Sequence, residues 1–146
     1  MQVFEEPQVP SSRATVLIAD DIAAWRVRVR EILCSRPECQ IVGEASDGIE
    51  TVQRVAELKP DLVLLDIGMP VLNGLQAAPQ IQWAPPHSKI VFVTQESDAD
   101  IRRAAIDAGA LGYVLKSNAA SELVPTITAV LHNGHTLRQA DALLES

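Results

Sequence analysis

Short apolar runs recur along the chain, and between them apolar residues fall three or four positions apart. The first run is ATVLIAD, residues 14 to 20. After it, Trp25, Val29, Ile32 and Leu33 stand at i, i+4, i+7 and i+8, the stripe of an amphipathic helix. CQIVGEA, residues 39 to 45, reads as a second strand, and Ile49, Val52, Val55 and Ala56 repeat at helical spacing behind it. DLVLLD, residues 61 to 66, predicts a third strand. Its helix, from about Asn73, is the least regular, because Pro79 removes a backbone donor and should break or kink it. KIVFVT, 89 to 94, is the clearest strand, and residues 98 to 108 predict a helix with acids in its first turn and Gly109 just past its end. GYVLK, 112 to 116, precedes a last helix from about Ala119 to Leu131, in which Pro125 is tolerable only if the helix starts late.

Five strands alternating with five helices predict an α/β fold, a doubly wound and mostly parallel sheet covered on both faces. Burial of both faces explains why the strands are almost continuously apolar. Residues 1–13 read as an N-terminal tail punctuated by Pro7, Pro10, Ser11 and Ser12, residues 14–132 as one domain, and residues 133–146 as a C-terminal extension or truncated linker. At 146 residues, 47% hydrophobic and 21% charged, the chain fits one ordinary soluble domain. Aromatics are only 3%, so the core must be aliphatic. No apolar run approaches the ~20 residues of a membrane span, and the N-terminus has no signal pattern, so the protein is expected to be cytoplasmic.

Charge and cysteines remove several functions. A formal net charge of -7 argues against unspecific attraction to nucleic acid. Arg26, Arg28 and Arg30 are the one basic cluster, and they read as the solvated flank of the first helix. Cys34 and Cys39 lack further ligands at metal-site spacing and read as reduced thiols. His132 and His135 lack a third ligand and read as surface residues, while Trp25 reads as a packing residue.

Candidate chemistry emerges at the strand ends, since an open parallel sheet binds ligands beyond the carboxyl ends of its strands. The first strand closes on Asp20 and Asp21, the third on Asp66, the fourth on Thr94 and the fifth on Lys116. The second closes on Glu44 and Ala45 and adds nothing comparable. Each has an ordinary role when taken singly: helix cap, strand residue or surface charge. Together they form a different object. Three carboxylates at one edge repel and need a positive partner, and carboxylate, carbonyl and water are the ligands Mg²⁺ prefers. A cation, a lysine and a hydroxyl around one free carboxylate suit a phosphoryl group.

At these positions the chain resembles the receiver domain of bacterial two-component response regulators. The matching segments are ADD at 19–21, LLDIGMPVLNG at 64–74, VFVT at 91–94 and GYVLKS at 112–117, with spacings of 45, 28 and 22 residues from Asp21 to Asp66 to Thr94 to Lys116. The wording DIGMP…NG and GALGYVLKS is most similar to receivers that precede a LuxR-type helix-turn-helix, and none of that output region is expected within these residues. The resemblance implies a flavodoxin-like sheet of order 2-1-3-4-5. It implies that Asp66 is the phosphoacceptor for a sensor histidine kinase or phosphotransfer protein. Asp21 would ligate Mg²⁺ directly, Asp20 mainly through water, and Asp66 and the Gly68 backbone carbonyl would complete the protein's share. Thr94 and Lys116 would engage the phosphoryl oxygens, and Tyr113 would be the switch aromatic, moving inward as Thr94 shifts. The implied function is a phosphorylation-dependent switch and not an enzyme: the 94–116 region repacks to control an unknown output partner. Direct nucleic-acid and membrane contacts are not expected, and self-association into a homodimer stays open.

Two departures from the family pattern stand close to this set. Gln95 replaces the usual small residue after Thr94 and could narrow access, and Ser117 replaces the frequent proline after the lysine. A receiver-shaped interaction module that takes no phosphate is the alternative. A small Asp-nucleophile phosphatase is disfavoured because Gly68, not an acid, stands two residues after Asp66. A dinucleotide or flavin binder lacks its glycine fingerprint after the first strand.

Overall fold

The computed structural model describes residues 13–83 and 87–133. Residues 1–12 of the tail and 134–146 of the C-terminal extension, with His135, lie outside these residues. The elements run β1 (Ala14–Ala19), α1 (Ala23–Leu33), β2 (Cys39–Ala45), α2 (Gly48–Leu58), β3 (Leu62–Leu65), α3 (Gly74–Ile81), β4 (Lys89–Thr94), α4 (Ala99–Asp107), β5 (Gly112–Leu115) and α5 (Ala119–Asn133). The sheet is parallel throughout, in the order β2-β1-β3-β4-β5. This is the doubly wound arrangement expected, and its direction of winding reverses between β1 and β3.

Alternate residues of the apolar runs enter separate cores. Leu17, Val63, Leu65, Ile90 and Phe92 pack with Val55, Ala77, Ile81 and Ala105 of the helices on one face. Val16, Ile18, Leu62, Leu64, Val91 and Val93 pack with Val29, Leu33, Leu123, Ile127 and Val130 on the other. Each large side chain fully withdrawn from water contributes roughly 2 kcal/mol. The strands are thereby held firmly enough to place polar residues at their tips.

The helices depart from the sequence pattern in three places. On α2 the buried face is Gly48, Thr51 and Val55, whereas Ile49 is exposed and Ala56 lies outside the core. Contact with the β3–α3 loop turns this face inward: a Cβ on Gly48 would stand 1.9 Å from the Leu72 carbonyl oxygen. Thr51 is tolerated inside because its hydroxyl donates to the Asp47 carbonyl at 2.7 Å. Pro79 does not break α3, which continues to Ile81 from a capping box formed by Asn73 and Gln76. Pro125 likewise sits inside α5, although that helix starts early, at Ala119. Both prolines are on exposed faces, where water can take the hydrogen bond each forfeits. β5 ends at Leu115, and Lys116 opens a single 3₁₀ turn to Asn118.

Candidate phosphoryl-acceptor site

Parallel register sets the site. The backbone N–H of Asp66 donates to the Ala19 carbonyl at 3.0 Å, and that of Asp20 to the Ala45 carbonyl at 3.0 Å. The acids thus leave the sheet side by side where its winding reverses. One carboxylate oxygen from each of Asp20, Asp21 and Asp66 lies within 4.8 Å of the others. Asp20 and Asp66 are buried, at 5% and 6% exposure, while Asp21 is exposed and opens the cluster to water. Carboxylates so close together suit a hard divalent cation that keeps some of its waters.

Lys116 offsets this charge from the tip of β5. Its ammonium lies 2.9 Å from Asp20 Oδ2 and 3.5 Å from Asp66 Oδ2, itself only 5% exposed. Burial pushes the Asp20 carboxyl above its ordinary pKa; the Asp66 charge adds to that, and the bonds from Lys116 and the Ile22 N–H only partly oppose it. The Lys116–Asp66 contact is long, so the Asp66 carboxylate is restrained without being fully satisfied.

Thr94 and Tyr113 stand beside this group. β4 pairs with β5 so that Thr94 faces Leu115, next to Lys116. Thr94 is buried, and its hydroxyl accepts the Glu96 N–H at 3.3 Å. The Tyr113 hydroxyl donates to the Glu96 carbonyl at 2.7 Å, so one loop residue ties both side chains together. Tyr113 is already inward: its ring packs on Phe92 with centroids 6.3 Å apart, and the Arg102 guanidinium lies 5.2 Å from its centre. Desolvation by burial raises the Tyr113 pKa, with Arg102 opposing it.

Gly68 is exposed, and a Cβ there would meet only Asp66 Oδ2, at 4.0 Å. Its backbone therefore passes near the carboxylate without any steric demand for glycine. That demand falls on Gly74, where a Cβ would stand 2.2 Å from the Asp66 carbonyl oxygen. Between them Val71 takes φ +72°, and the Leu72 N–H donates to the Pro70 carbonyl at 2.7 Å. A β-branched residue in this left-handed region is strained.

Sequence reasoning brought Asp20, Asp21, Asp66, Thr94 and Lys116 to one edge, and the structure places them there. It missed three neighbours. Arg26 donates to the Asp20 carbonyl at 2.6 Å and to Glu44 at 2.8 Å. Arg30 closes the other side of the same carboxylate. Two of the arginines read as a solvated flank therefore brace the β1 tip against β2, and Glu44 takes part in the site's support. Desolvation is the largest influence on the Glu44 carboxyl and raises its pKa, but the bonds from Arg30 and Arg26 outweigh it and hold the pKa low. Trp25 is the third: the Lys116 ammonium lies 5.1 Å from the centre of its ring. The available signal was position, since residues 25 and 26 fall in the first turn of the helix that leaves the acidic tip. Trp25, Gln95, Ser97, Leu115, Lys116 and Ser117 line a groove of about 470 Å³, and Gln95 is exposed on its rim.

Comparison with known proteins agrees with this geometry. Residues 16–128 match the response regulator receiver domain. The transcriptional regulatory protein LiaR of Bacillus subtilis is 38% identical over 114 residues, which cover 78% of this chain and 54% of LiaR. The chain spans about half the length of the curated regulators it matches first. A LuxR-family two-component response regulator from Aurantimonas superposes with a TM-score of 0.79 at 32% identity, covering 85% of this chain and 88% of that one. The response regulator domain of Thermotoga maritima CheB gives 0.74 at 34% identity, covering 80% and 94%. The chain belongs to the response regulator receiver domain family, the phosphorylation-dependent switches of two-component signalling, and its relatives include LuxR-type regulators.

Proposed function

We propose that Asp66 is the phosphoacceptor and that the donor is the phosphohistidine of a sensor histidine kinase or phosphotransfer protein. A carboxylate oxygen of Asp66 forms the new P–O bond as the donor's P–N bond breaks. Asp20, Asp21, Asp66 and the Gly68 carbonyl would hold Mg²⁺. When bound, the ion neutralises charge on the transferring phosphoryl and its acceptor. Lys116 pairs with one phosphoryl oxygen and the Thr94 hydroxyl donates to another. To reach a phosphoryl oxygen the Thr94 hydroxyl has to move away from the Glu96 N–H that it accepts, and the Glu96 carbonyl also holds Tyr113; the shift thereby reaches the β4–α4 loop and α4 as the output signal. An output partner then reads the repacked 94–116 region. The role is regulatory, a phosphorylated state with a lifetime, and not steady turnover.

The observation that carries this reading is a buried carboxylate between two other acids whose nearest positive group stands 3.5 Å away. The test is incubation with acetyl phosphate and Mg²⁺, comparing the native chain with Asp66→Asn by intact mass. The native chain gains the mass of one phosphoryl group and the variant gains none. An equal gain in both would move the acceptor elsewhere.

A further inference from the structure

We infer that Trp25 is a positioning residue for Lys116 and, through it, sets the reactivity of the acceptor site; the inference rests on the reading of Asp66 as phosphoacceptor. Lys116 carries three N–H donors, and two point toward carboxylates, at 2.9 Å to Asp20 and 3.5 Å to Asp66. The remaining side of the ammonium faces the Trp25 ring, 5.1 Å from its centre. An ammonium withdrawn from water keeps its charge cheaply only where each side meets electron density, and the face of an indole is the strongest aromatic source.

The placement has a functional reason. Lys116 has to leave its carboxylates when a phosphoryl oxygen arrives. Neither Asp20 nor Asp66 can then hold it in place, since both are drawn into the new centre. The Trp25 ring projects from α1, outside the acid cluster, and among the described residues it is the contact of the ammonium that phosphorylation does not consume. It limits the swing of the side chain and keeps the charge at the groove wall, where a donor approaches. A phosphoryl-transfer site depends on such fixed charges more than on covalent participation.

Bulk and cation binding separate on substitution. Trp25→Phe keeps an aromatic face, whereas Trp25→Leu keeps apolar volume and loses it. Labelling by acetyl phosphate and binding of beryllofluoride with Mg²⁺ are measured for both. The Leu variant is expected to label and to bind about fivefold more weakly, the size of one cation–π contact to a partly exposed ring, and the Phe variant to stay within about twofold of native. Native behaviour in the Leu variant, or equal losses in both, would overturn the inference. Asp66→Asn measured alongside tests the underlying reading separately: its continued labelling would overturn the acceptor assignment and not the role of Trp25. A further measurement needs no change at the site. Trp83 is the other tryptophan and is 85% exposed, so Trp83→Phe leaves Trp25 as the reporter. Its emission is expected to shift when beryllofluoride and Mg²⁺ move Lys116, and an unchanged spectrum would count against the proposal.

Discussion

Strand β3 is flanked by an aspartate at each end, and the two are treated in opposite ways. Asp61, before the strand, accepts the Thr15 N–H at 2.8 Å and the Thr15 hydroxyl at 3.2 Å, while its own N–H donates to that hydroxyl at 3.0 Å. Its carbonyl accepts the Lys89 N–H at 2.9 Å, so this acid stitches β1, β3 and β4 together. Asp66, after the strand, is buried and has acidic neighbours and one long lysine contact. An exposed acid is thus well satisfied, and a buried one is left wanting. Proteins seldom leave buried polar groups so poorly paired without a use for them. Satisfaction, more than residue type or sequence position, separates the acid that builds the fold from the acid proposed to react.

Substitution can break this contrast. The largest effect is expected from Asp66→Asn, which abolishes labelling yet raises the unfolding free energy in Mg²⁺-free buffer by about 1 kcal/mol, because repulsion with Asp20 is removed. Urea unfolding checks the sign; a clear loss of stability would mean that Asp66 is a structural acid like Asp61. Gly74→Ala comes next in scope, since its Cβ collides with the backbone of Asp66 itself. It is expected to cost about 3 kcal/mol and to reduce labelling in the fraction that remains folded. Asp61→Ala is expected to cost only about 1 kcal/mol, as an exposed group, with labelling per folded molecule unchanged. A labelling defect in Asp61→Ala would show that the two ends of the strand are not independent.

The contrast also explains which features could be read from sequence. The succession of strands and helices and the burial of both sheet faces followed from apolar runs, because burial on two faces leaves a signal in every residue; the strand order followed from the resemblance. Asp20, Asp21, Asp66, Thr94 and Lys116 were legible because each is the first polar residue, or nearly so, at the end of such a run. The face of α2 was not, because a contact between Gly48 and the distant Leu72 loop sets its rotation, and no periodicity within the helix encodes that. Pro79 and Pro125 misled because local propensity was outweighed by packing, with exposure sparing their lost hydrogen bonds. Val71 gave no hint of its left-handed backbone, for which a glycine would have been the sign. Trp25, Arg26 and Arg30 were invisible as site residues because they reach it from the flank of α1 and not from a strand end.

Glu44 sharpens the comparison most gently, since it lies at the same sheet edge as Asp66 but is satisfied like Asp61. It receives Arg26 on one oxygen and Arg30 on the other, with its side chain 29% exposed. If satisfaction decides, Glu44 contributes stability and no chemistry. Its folded pKa lies below the ordinary carboxylate value. The contribution is therefore fully present above the unfolded pKa of about 4.3, and is lost as pH falls through the lower folded value. Partial exposure limits it to about 0.5 kcal/mol at neutral pH. Thermal or urea melts of the native chain and Glu44→Gln should differ by a constant amount from about pH 7 to 5 and converge below about pH 4, since the other carboxylates titrate in both proteins. Convergence on raising the pH instead would mean that Glu44 is strained in its ionised form, and position at the sheet edge would then outweigh pairing.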